Sequence, residues 1–127
     1  EKHINGNGYT LTAEIRGKGN NSYALEFDKT VGSISNIKIT GADVALLVNS
    51  STVTLSGKID VSGNKVAGII VSKGSKSAKH QPKLDITNAT LVNTNEANKE
   101  IYRLGIVYIM SNGKLGTYAL LRLLCKK

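Results

Sequence analysis

Apolar residues alternate with polar ones in three short stretches that each end in Gly or Asn. These stretches read Ser35-Asn-Ile-Lys-Ile-Thr-Gly41, Gly57-Lys-Ile-Asp-Val-Ser-Gly63 and Pro82-Lys-Leu-Asp-Ile-Thr-Asn88. Because successive side chains of a strand point to opposite faces, each stretch predicts a β-strand with one buried face. The final Gly or Asn tolerates the left-handed backbone that a tight corner requires.

A second apolar pattern returns along the chain at a nearly constant interval. Its alanines stand at positions 24, 45 and 67, which gives intervals of 21 and 22 residues. A fourth member aligns Gly105 with Gly68 at an interval of 37, that is, one repeat plus an insertion. The four members are Tyr23-Ala-Leu-Glu-Phe27, Val44-Ala-Leu-Leu-Val48, Val66-Ala-Gly-Ile-Ile70 and Arg103-Leu-Gly-Ile-Val107.

Each repeat of 21 to 22 residues is predicted to contain up to three short strands, because Ser33-Ile34 and Thr52–Leu55 precede the alternating stretches. One such repeat cannot bury its own apolar face, so neighbouring repeats must stack. We therefore expect an all-β fold, a short right-handed parallel β-helix. An antiparallel β-sandwich is the alternative, but it gives no reason for the same pentapeptide to recur.

The two ends of the chain are less regular than its middle. The sequence predicts a single domain over 1–127, taken from a longer protein, with a strand that leads through Ile15. The leucine-rich segment 114–127 is either a helix with Thr117 as its N-cap or a last strand. In either form this segment is expected to cap the solenoid or to mediate self-association.

Three sequence features resemble the pectate-lyase-like right-handed β-helix superfamily. They are Ile4-Asn-Gly-Asn-Gly-Tyr-Thr-Leu11, the recurrent Ile-Lys-Ile-Thr-Gly and Ile-Asp-Val-Ser-Gly strands, and Asp60-Val-Ser-Gly-Asn64, and the likeness spans residues 4–110. The resemblance implies secretion or a cell-surface location. It also implies one of three activities: polysaccharide lyase, glycoside hydrolase, or an adhesin without enzymatic activity.

The net charge of +8 favours a polyanionic partner, such as an acidic glycan or another cell-surface polymer. Only three of the 17 cationic residues are Arg, and the chain has five Tyr, one Phe and no Trp, which argues against nucleic-acid recognition. The single Cys and the missing zinc spacing predict no metal site, and no cofactor is expected. No apolar run reaches membrane-spanning length.

Asp60 and Asp85 are the acidic residues that occupy equivalent positions in two alternating stretches, and Lys38 holds that position one repeat earlier. A column of these three residues would present the paired carboxylates that glycoside hydrolysis uses, so both Asp residues are the catalytic candidates. A solvated column without activity is the other interpretation. His3 and His80 have no Ser or Cys at a recognisable spacing, so nucleophilic catalysis is not predicted.

A basic stretch interrupts the repeat, because no acidic residue lies between Val61 and Leu84. It predicts a protruding loop, residues 71–83, which either is simply solvated or binds an anionic polymer. The predicted ligand-binding residues are Lys73, Lys76, Lys79, His80 and Lys83. We therefore expect a non-catalytic scaffold or adhesion module that binds acidic polysaccharide, with a polysaccharide lyase or glycoside hydrolase as the alternative.

Overall fold

The computed structural model describes residues 1–17, 22–72 and 82–93, together with the backbone of 106–109. These residues form strands and, within the described ranges, no helix, so the predicted all-β class is confirmed. The strands are β1 (Lys2–Asn5), β2 (Thr10–Thr12), β3 (Tyr23–Asp28), β4 (Val31–Thr40), β5 (Val44–Asn49), β6 (Thr52–Asp60), β7 (Ala67–Ser72), β8 (Lys83–Val92) and β9 (Ile106–Ile109).

The strands form two parallel sheets. The first sheet has the order β1-β4-β6-β8, and β2 also pairs with β4. The second sheet has the order β3-β5-β7-β9. Every described strand pair is parallel. From β3 onwards, consecutive strands belong alternately to the two sheets, so each strand pairs with the strand two positions further along the chain.

The main core contains buried side chains from both sheets. Ile34, Ile39, Leu55 and Ile59 come from the first sheet, and they cluster with the second sheet's Leu46, Val48, Ile69 and Val71. Full burial of each such side chain contributes roughly 1.5–3 kcal/mol. The two sheets therefore share one apolar interior, as the alternating stretches predict.

The second sheet also has buried apolar residues outside this core. Val44, Ala67 and Ile70 form a separate cluster with partly buried Tyr23, Leu47 and Val66. Leu47 of this cluster lies between Leu46 and Val48 of the main core in β5, and Ile70 lies between Ile69 and Val71 of the main core in β7. Burial on both faces explains why these strands read as continuous apolar runs rather than as an alternating pattern.

The period of two changes phase in the middle of the long strands. The register between β4 and β6 shifts between Ser35 and Ile37. Asn36 and Gly57 have φ values of 49° and 68° at this point, and a Cβ on Gly57 would meet the Asn36 side chain. The predicted third strands, Ser33-Ile34 and Thr52–Leu55, are consequently the first halves of β4 and β6, not separate strands. A repeat contains two strands because the left-handed residue absorbs the irregularity without ending the strand.

The observed register confirms most of the predicted repeat. Leu25 pairs with Leu46, which gives the expected interval of 21. Leu46 pairs with Ile69, an interval of 23, so the predicted match of Ala45 with Ala67 is wrong by one residue. The large apolar side chains of the core, such as Leu46 and Ile69, set this alignment, and the small alanines mark it less precisely. Ile69 pairs with Ile106, which confirms the interval of 37 between the third and fourth members.

The beginning of the chain forms two short strands instead of the predicted single one. A turn with Asn7 and Gly8 at positive φ separates β1 from β2, and both strands pair with β4. The turn remains attached because the Gly6 and Gly8 N–H groups donate to the carbonyls of Ser35 and Asn36, at 2.8 and 2.7 Å.

Two further predictions fall largely outside the described residues. The segment 114–127 lies wholly outside them, so its helical or extended form stays a prediction. Of the predicted loop 71–83, Val71 and Ser72 belong to β7 and Lys83 begins β8, whereas residues 73–81 lie outside the described residues. Hydrogen bonding of Val71, Ser72 and Lys83 to neighbouring strands extends both strands into the predicted loop.

Candidate functional site

The face of the first sheet that points away from the core is polar, and we call it the outer face. In β4 its residues alternate with buried Ile34, Ile37 and Ile39. The register aligns the side chains of neighbouring strands into columns across this face. One column consists of His3, Ser33, Thr54 and Asp85, and another consists of Thr10, Lys38 and Asp60.

The two catalytic candidates do not lie in one column. Lys38 does pair with Asp60, as predicted, but Asp60 pairs with Val92 on the next strand. Asp85 instead pairs with Thr54. The predicted column of Lys38, Asp60 and Asp85 is therefore wrong. The motif that contains Asp60 lies in the second half of β6, whereas the motif that contains Asp85 lies in the first half of β8. Both halves alternate with a period of two, so the sequence pattern alone does not distinguish them.

Each of these carboxylates is engaged in a local hydrogen bond. Asp60 Oδ1 accepts the N–H of Ser62 at 3.0 Å, and Asp85 Oδ1 accepts the N–H of Thr87 at 2.9 Å. Bonds of this kind, from an Asp to the backbone two residues on, shape corners and bends. Among the described residues, no group of three His, Cys, Asp or Glu side chains is placed to hold a metal ion.

His3 has a serine partner that sequence reasoning missed. Its Nδ1 lies 2.7 Å from Ser33 Oγ, and its Nε2 lies 3.3 Å from Glu1 Oε2. Ser33 is 30 positions away in the chain and reaches His3 because β1 pairs with β4 in register. His3-Ile4 and Ser33-Ile34 are both polar–apolar pairs, and their alignment is the sequence signal that would have indicated this contact.

The predicted ligand-binding residues lie almost entirely outside the described part of the chain. Lys73, Lys76, Lys79 and His80 belong to the residues that the structure does not describe. Lys83 is described: it is exposed at the first position of β8 and pairs with Thr52 at the start of β6. It therefore fixes one end of the lysine-rich stretch at the outer face.

The excess positive charge is distributed unevenly along the chain. Residues 1–17, 22–72, 82–93 and 106–109 contain seven cationic and seven acidic side chains, so they carry no net formal charge. The other ten cationic and two acidic side chains, and with them the whole charge of +8, lie in 18–21, 73–81, 94–105 and 110–127. The strands are thus electrically balanced, and the segments between and after them supply the charge.

Asp43 is a buried carboxylate at the corner before β5. It accepts the N–H of Gly17 at 2.6 Å and the N–H of Ser22 at 3.1 Å. These two backbone hydrogen bonds hold the pKa of Asp43 below its ordinary value, with smaller contributions from the Ser22 hydroxyl and the positive charge of Lys65 that outweigh the effect of burial. Since both oxygens bind backbone groups of the same fold, we assign Asp43 a structural role.

Asn64 is a second fully buried polar side chain, at the corner after β6. Its Nδ2 donates to the carbonyls of Ile39, Val61 and Ser62, and its Oδ1 accepts the N–H of Ala42. The contacts with Ile39 and Ala42 reach across to the preceding repeat. The side chain therefore connects two consecutive corners through the interior.

Tyr23 is the other group, among the described residues, whose pKa is shifted. Burial, followed by the nearby charge of Glu26, raises the pKa of the Tyr23 phenol. The phenol packs against the Val44–Ala67–Ile70 cluster, so it is a neutral packing group at physiological pH.

Comparison of the chain with protein-family models, with curated proteins and with solved structures finds no match in any of the three. The likeness to the pectate-lyase-like superfamily accordingly stays a prediction. Across the described ranges, the chain contains no helix with the length and apolar character needed to cross a membrane.

Proposed function

We propose that this chain is a non-catalytic binding module of a secreted or cell-surface protein, built as a short right-handed parallel β-helix. Its ligand is an acidic polysaccharide, which it binds through the lysine-rich stretch that ends at Lys83. The remaining ligand-binding residues are Lys73, Lys76, Lys79 and His80.

The topology supports the solenoid part of this proposal. Consecutive strands alternate between two parallel sheets, and side chains from both sheets meet in one core. A chain that returns to the same sheet every second strand, always in the same direction, advances by one strand spacing per repeat. The buried corner residue Asn64, which bonds to residues 22 and 25 positions earlier, is consistent with stacked corners.

The uneven distribution of charge is the observation on which the binding part depends. Because the described residues carry no net charge, the excess positive charge that favours a polyanion lies in the segments outside them. Among these, 73–81 lies between β7 and β8 in the sequence and contains three lysines, and Lys83 at the start of β8 is a fourth. Closely spaced like charges raise the local attraction for a polyanion, and salt screens that attraction.

Retention on immobilised polygalacturonate, eluted with a salt gradient, tests the proposal. We compare a loop variant, Lys73→Ser/Lys76→Ser/Lys79→Ser/Lys83→Ser, with a control variant, Lys2→Ser/Lys29→Ser/Lys38→Ser/Lys58→Ser. The control removes the same number of positive charges, four, from exposed positions of the described residues, which carry no net charge. Circular dichroism verifies that both variants remain folded.

We expect the loop variant to lose salt-sensitive retention and the control to keep most of it. Equal losses in both variants would mean that net charge alone governs binding, and unchanged retention of the loop variant would exclude the stretch as the binding site. The alternative function, a lyase or hydrolase using Asp60 and Asp85 together, is not proposed because the register separates these two carboxylates.

A further inference from the structure

Three side chains at the edge of the outer face lie in a line of close contacts. The Glu1 carboxylate lies 3.3 Å from Nε2 of His3, and Nδ1 of the same imidazole lies 2.7 Å from Ser33 Oγ. An acidic residue, a histidine and a serine in this order are the parts of an activated nucleophile: the base touches the hydroxyl, and a third group orients the base. The proposed function makes no use of these groups.

The contact with Glu1 favours one direction for the hydrogen bond between His3 and Ser33. A neutral imidazole has one N–H donor and one acceptor nitrogen, and an ionised carboxylate can only accept. In the neutral imidazole, the carboxylate 3.3 Å from Nε2 favours the tautomer that carries its proton on Nε2, and Nδ1 then keeps its lone pair. Nδ1 must then accept the hydrogen bond that the Ser33 hydroxyl donates, which is the arrangement a general base requires.

Ser33 is half-buried on the outer face, and its two partners in the line are exposed. The side chains of His3 and Glu1 are 57% and 67% exposed, so the line is open to solvent on the side away from the sheet in the part of the chain that the structure describes. Ser35 offers a natural comparison, because it lies two positions further along the same face of β4 and pairs with Asn5 instead of a histidine. The two serines share strand, face and sheet but differ in the neighbouring base.

We propose that Ser33 is an acyl acceptor, with His3 as its general base and Glu1 as the positioning residue. The substrate class is an ester with a good alcohol leaving group, such as an aryl ester. Ser33 Oγ forms a bond to the ester carbonyl carbon while its proton passes to Nδ1 of His3. The bond from that carbon to the leaving oxygen then breaks, and the departing alcohol takes the proton from Nδ1. The products are O-acyl-Ser33, the free alcohol and a neutral His3.

The same geometry predicts that the reaction stops after one acylation. β4 is paired on both edges, with β1 and β6, so its backbone N–H groups belong to the sheet ladders. Rapid turnover requires donors aimed at the developing oxyanion, typically free backbone N–H groups. We therefore expect slow, stoichiometric acylation and no sustained ester hydrolysis. This inference is independent of polysaccharide binding.

Incubation of the full chain with p-nitrophenyl acetate tests the proposal. Peptide mapping by mass spectrometry locates the acetyl group, and alkaline hydroxylamine separates the ester on a serine from amides on lysines because it removes only the ester. We expect a hydroxylamine-sensitive acetyl group on Ser33, and none on Ser35. Ser35→Ala should leave the rate of Ser33 acetylation unchanged, whereas Ser33→Ala should abolish the sensitive product.

Variants of the other two residues separate the base from its positioning group. Loss of a general base typically lowers a rate at least 100-fold, so His3→Ala should slow acetylation of Ser33 by about 100-fold. Glu1→Gln should lower the rate less and shift the imidazole towards the Nδ1–H tautomer, which nitrogen chemical shifts measure. A merely structural Glu1 would leave the tautomer unchanged.

Three results would overturn the proposal: acetylation of Ser33 no faster than that of Ser35, an unchanged rate in His3→Ala, or labelling confined to lysines. Because His3 and Glu1 are exposed, their variants are expected to keep the wild-type unfolding temperature. If His3→Ala unfolds, His3→Gln and the comparison of Ser33 with Ser35 in the wild-type chain still decide the question.

Discussion

Removal of the Asn64 side chain should destabilise the protein more than any other polar truncation in the described residues. Asn64 is completely buried, and its amide makes its closest contacts with the carbonyls of Val61 at 2.8 Å and Ile39 at 3.0 Å. Its Oδ1 also accepts the N–H of Ala42 at 3.1 Å. Asn64→Ala leaves this N–H and the carbonyls without the partner that connects two corners.

The magnitude follows from the cost of unpaired buried groups. A buried donor or acceptor that loses its partner costs about 1–3 kcal/mol, and Asn64→Ala affects one donor and at least two acceptors. Allowing for partial relaxation, we expect a loss of about 4 kcal/mol. A single domain of ordinary stability has about 5–15 kcal/mol in total, so the variant should be close to unfolding.

Urea unfolding measures this loss as a lower midpoint at an unchanged slope. Asn88→Ala is the matched control, because Asn88 is exposed on β8, and its truncation should change stability by less than about 0.5 kcal/mol. Asn64→Asp keeps the shape but turns the donor towards the carbonyls into an acceptor. It should be strongly destabilised at neutral pH and recover partly in acid, where the added carboxyl group is protonated.

A loss below about 1 kcal/mol in Asn64→Ala, at an unchanged slope, would refute the reasoning, because the buried groups would then have found other partners. Equal stability of Asn64→Asp at neutral and acidic pH would contradict the assigned donor and acceptor contacts. Either result would mean that packing of neighbouring side chains, not the amide, holds the corners together.

Three other predictions concern pH, backbone conformation and the repeat. The lowered pKa of Asp43 contributes stability that is fully present above the ordinary Asp pKa of about 3.9 and is lost as pH falls through the lower pKa of the folded state. Asp43→Asn should therefore lower the urea midpoint at neutral pH, and the midpoint of the variant should change less with acidification than that of the wild type. Gly57→Ala should cost about 2–3 kcal/mol in thermal unfolding, and Gly8→Ala only about 1, because both have positive φ but only Gly57 faces the Asn36 side chain. Tandem duplication of residues 44–66, one full interval of 23, should give a folded chain with a larger urea slope, whereas duplication of half that length should not fold.

The sequence patterns predicted the strands and most of their alignment because burial leaves a direct mark on residue type. Alternating Ile37 and Ile39 have to face the core, and the recurrence of apolar pentapeptides reflects side chains that pack on their own equivalents. This argument even identified the interval of 37 that leads to β9. It failed by one residue at Ala67, where the side chain is small and shows the alignment less clearly than a large apolar one.

The outer face was predicted poorly for the opposite physical reason. Polar side chains in water are not selected by packing, so the motif around Asp85 resembled the motif around Asp60 although the two lie in different halves of their strands. The contact of His3 with Ser33 was missed because it depends on the pairing of β1 with β4, which the irregular beginning of the chain concealed. The strand register, and not the residue types, determines which polar side chains of the outer face are neighbours.

The phase change at Asn36 connects the interior of the fold with the chemistry of its outer face. A shift of one residue in a strand exchanges its inner and outer side chains, so Lys38 would enter the core if β4 continued in phase from Ile34. The left-handed backbone at Asn36 prevents this by returning Ile37 to the interior. Ser33 and Lys38 therefore occupy the same face on either side of the irregularity. A change that straightened β4 would bury Lys38 or expose Ile37 and Ile39, and it would remove the pairing of Lys38 with Asp60 while leaving that of Ser33 with His3.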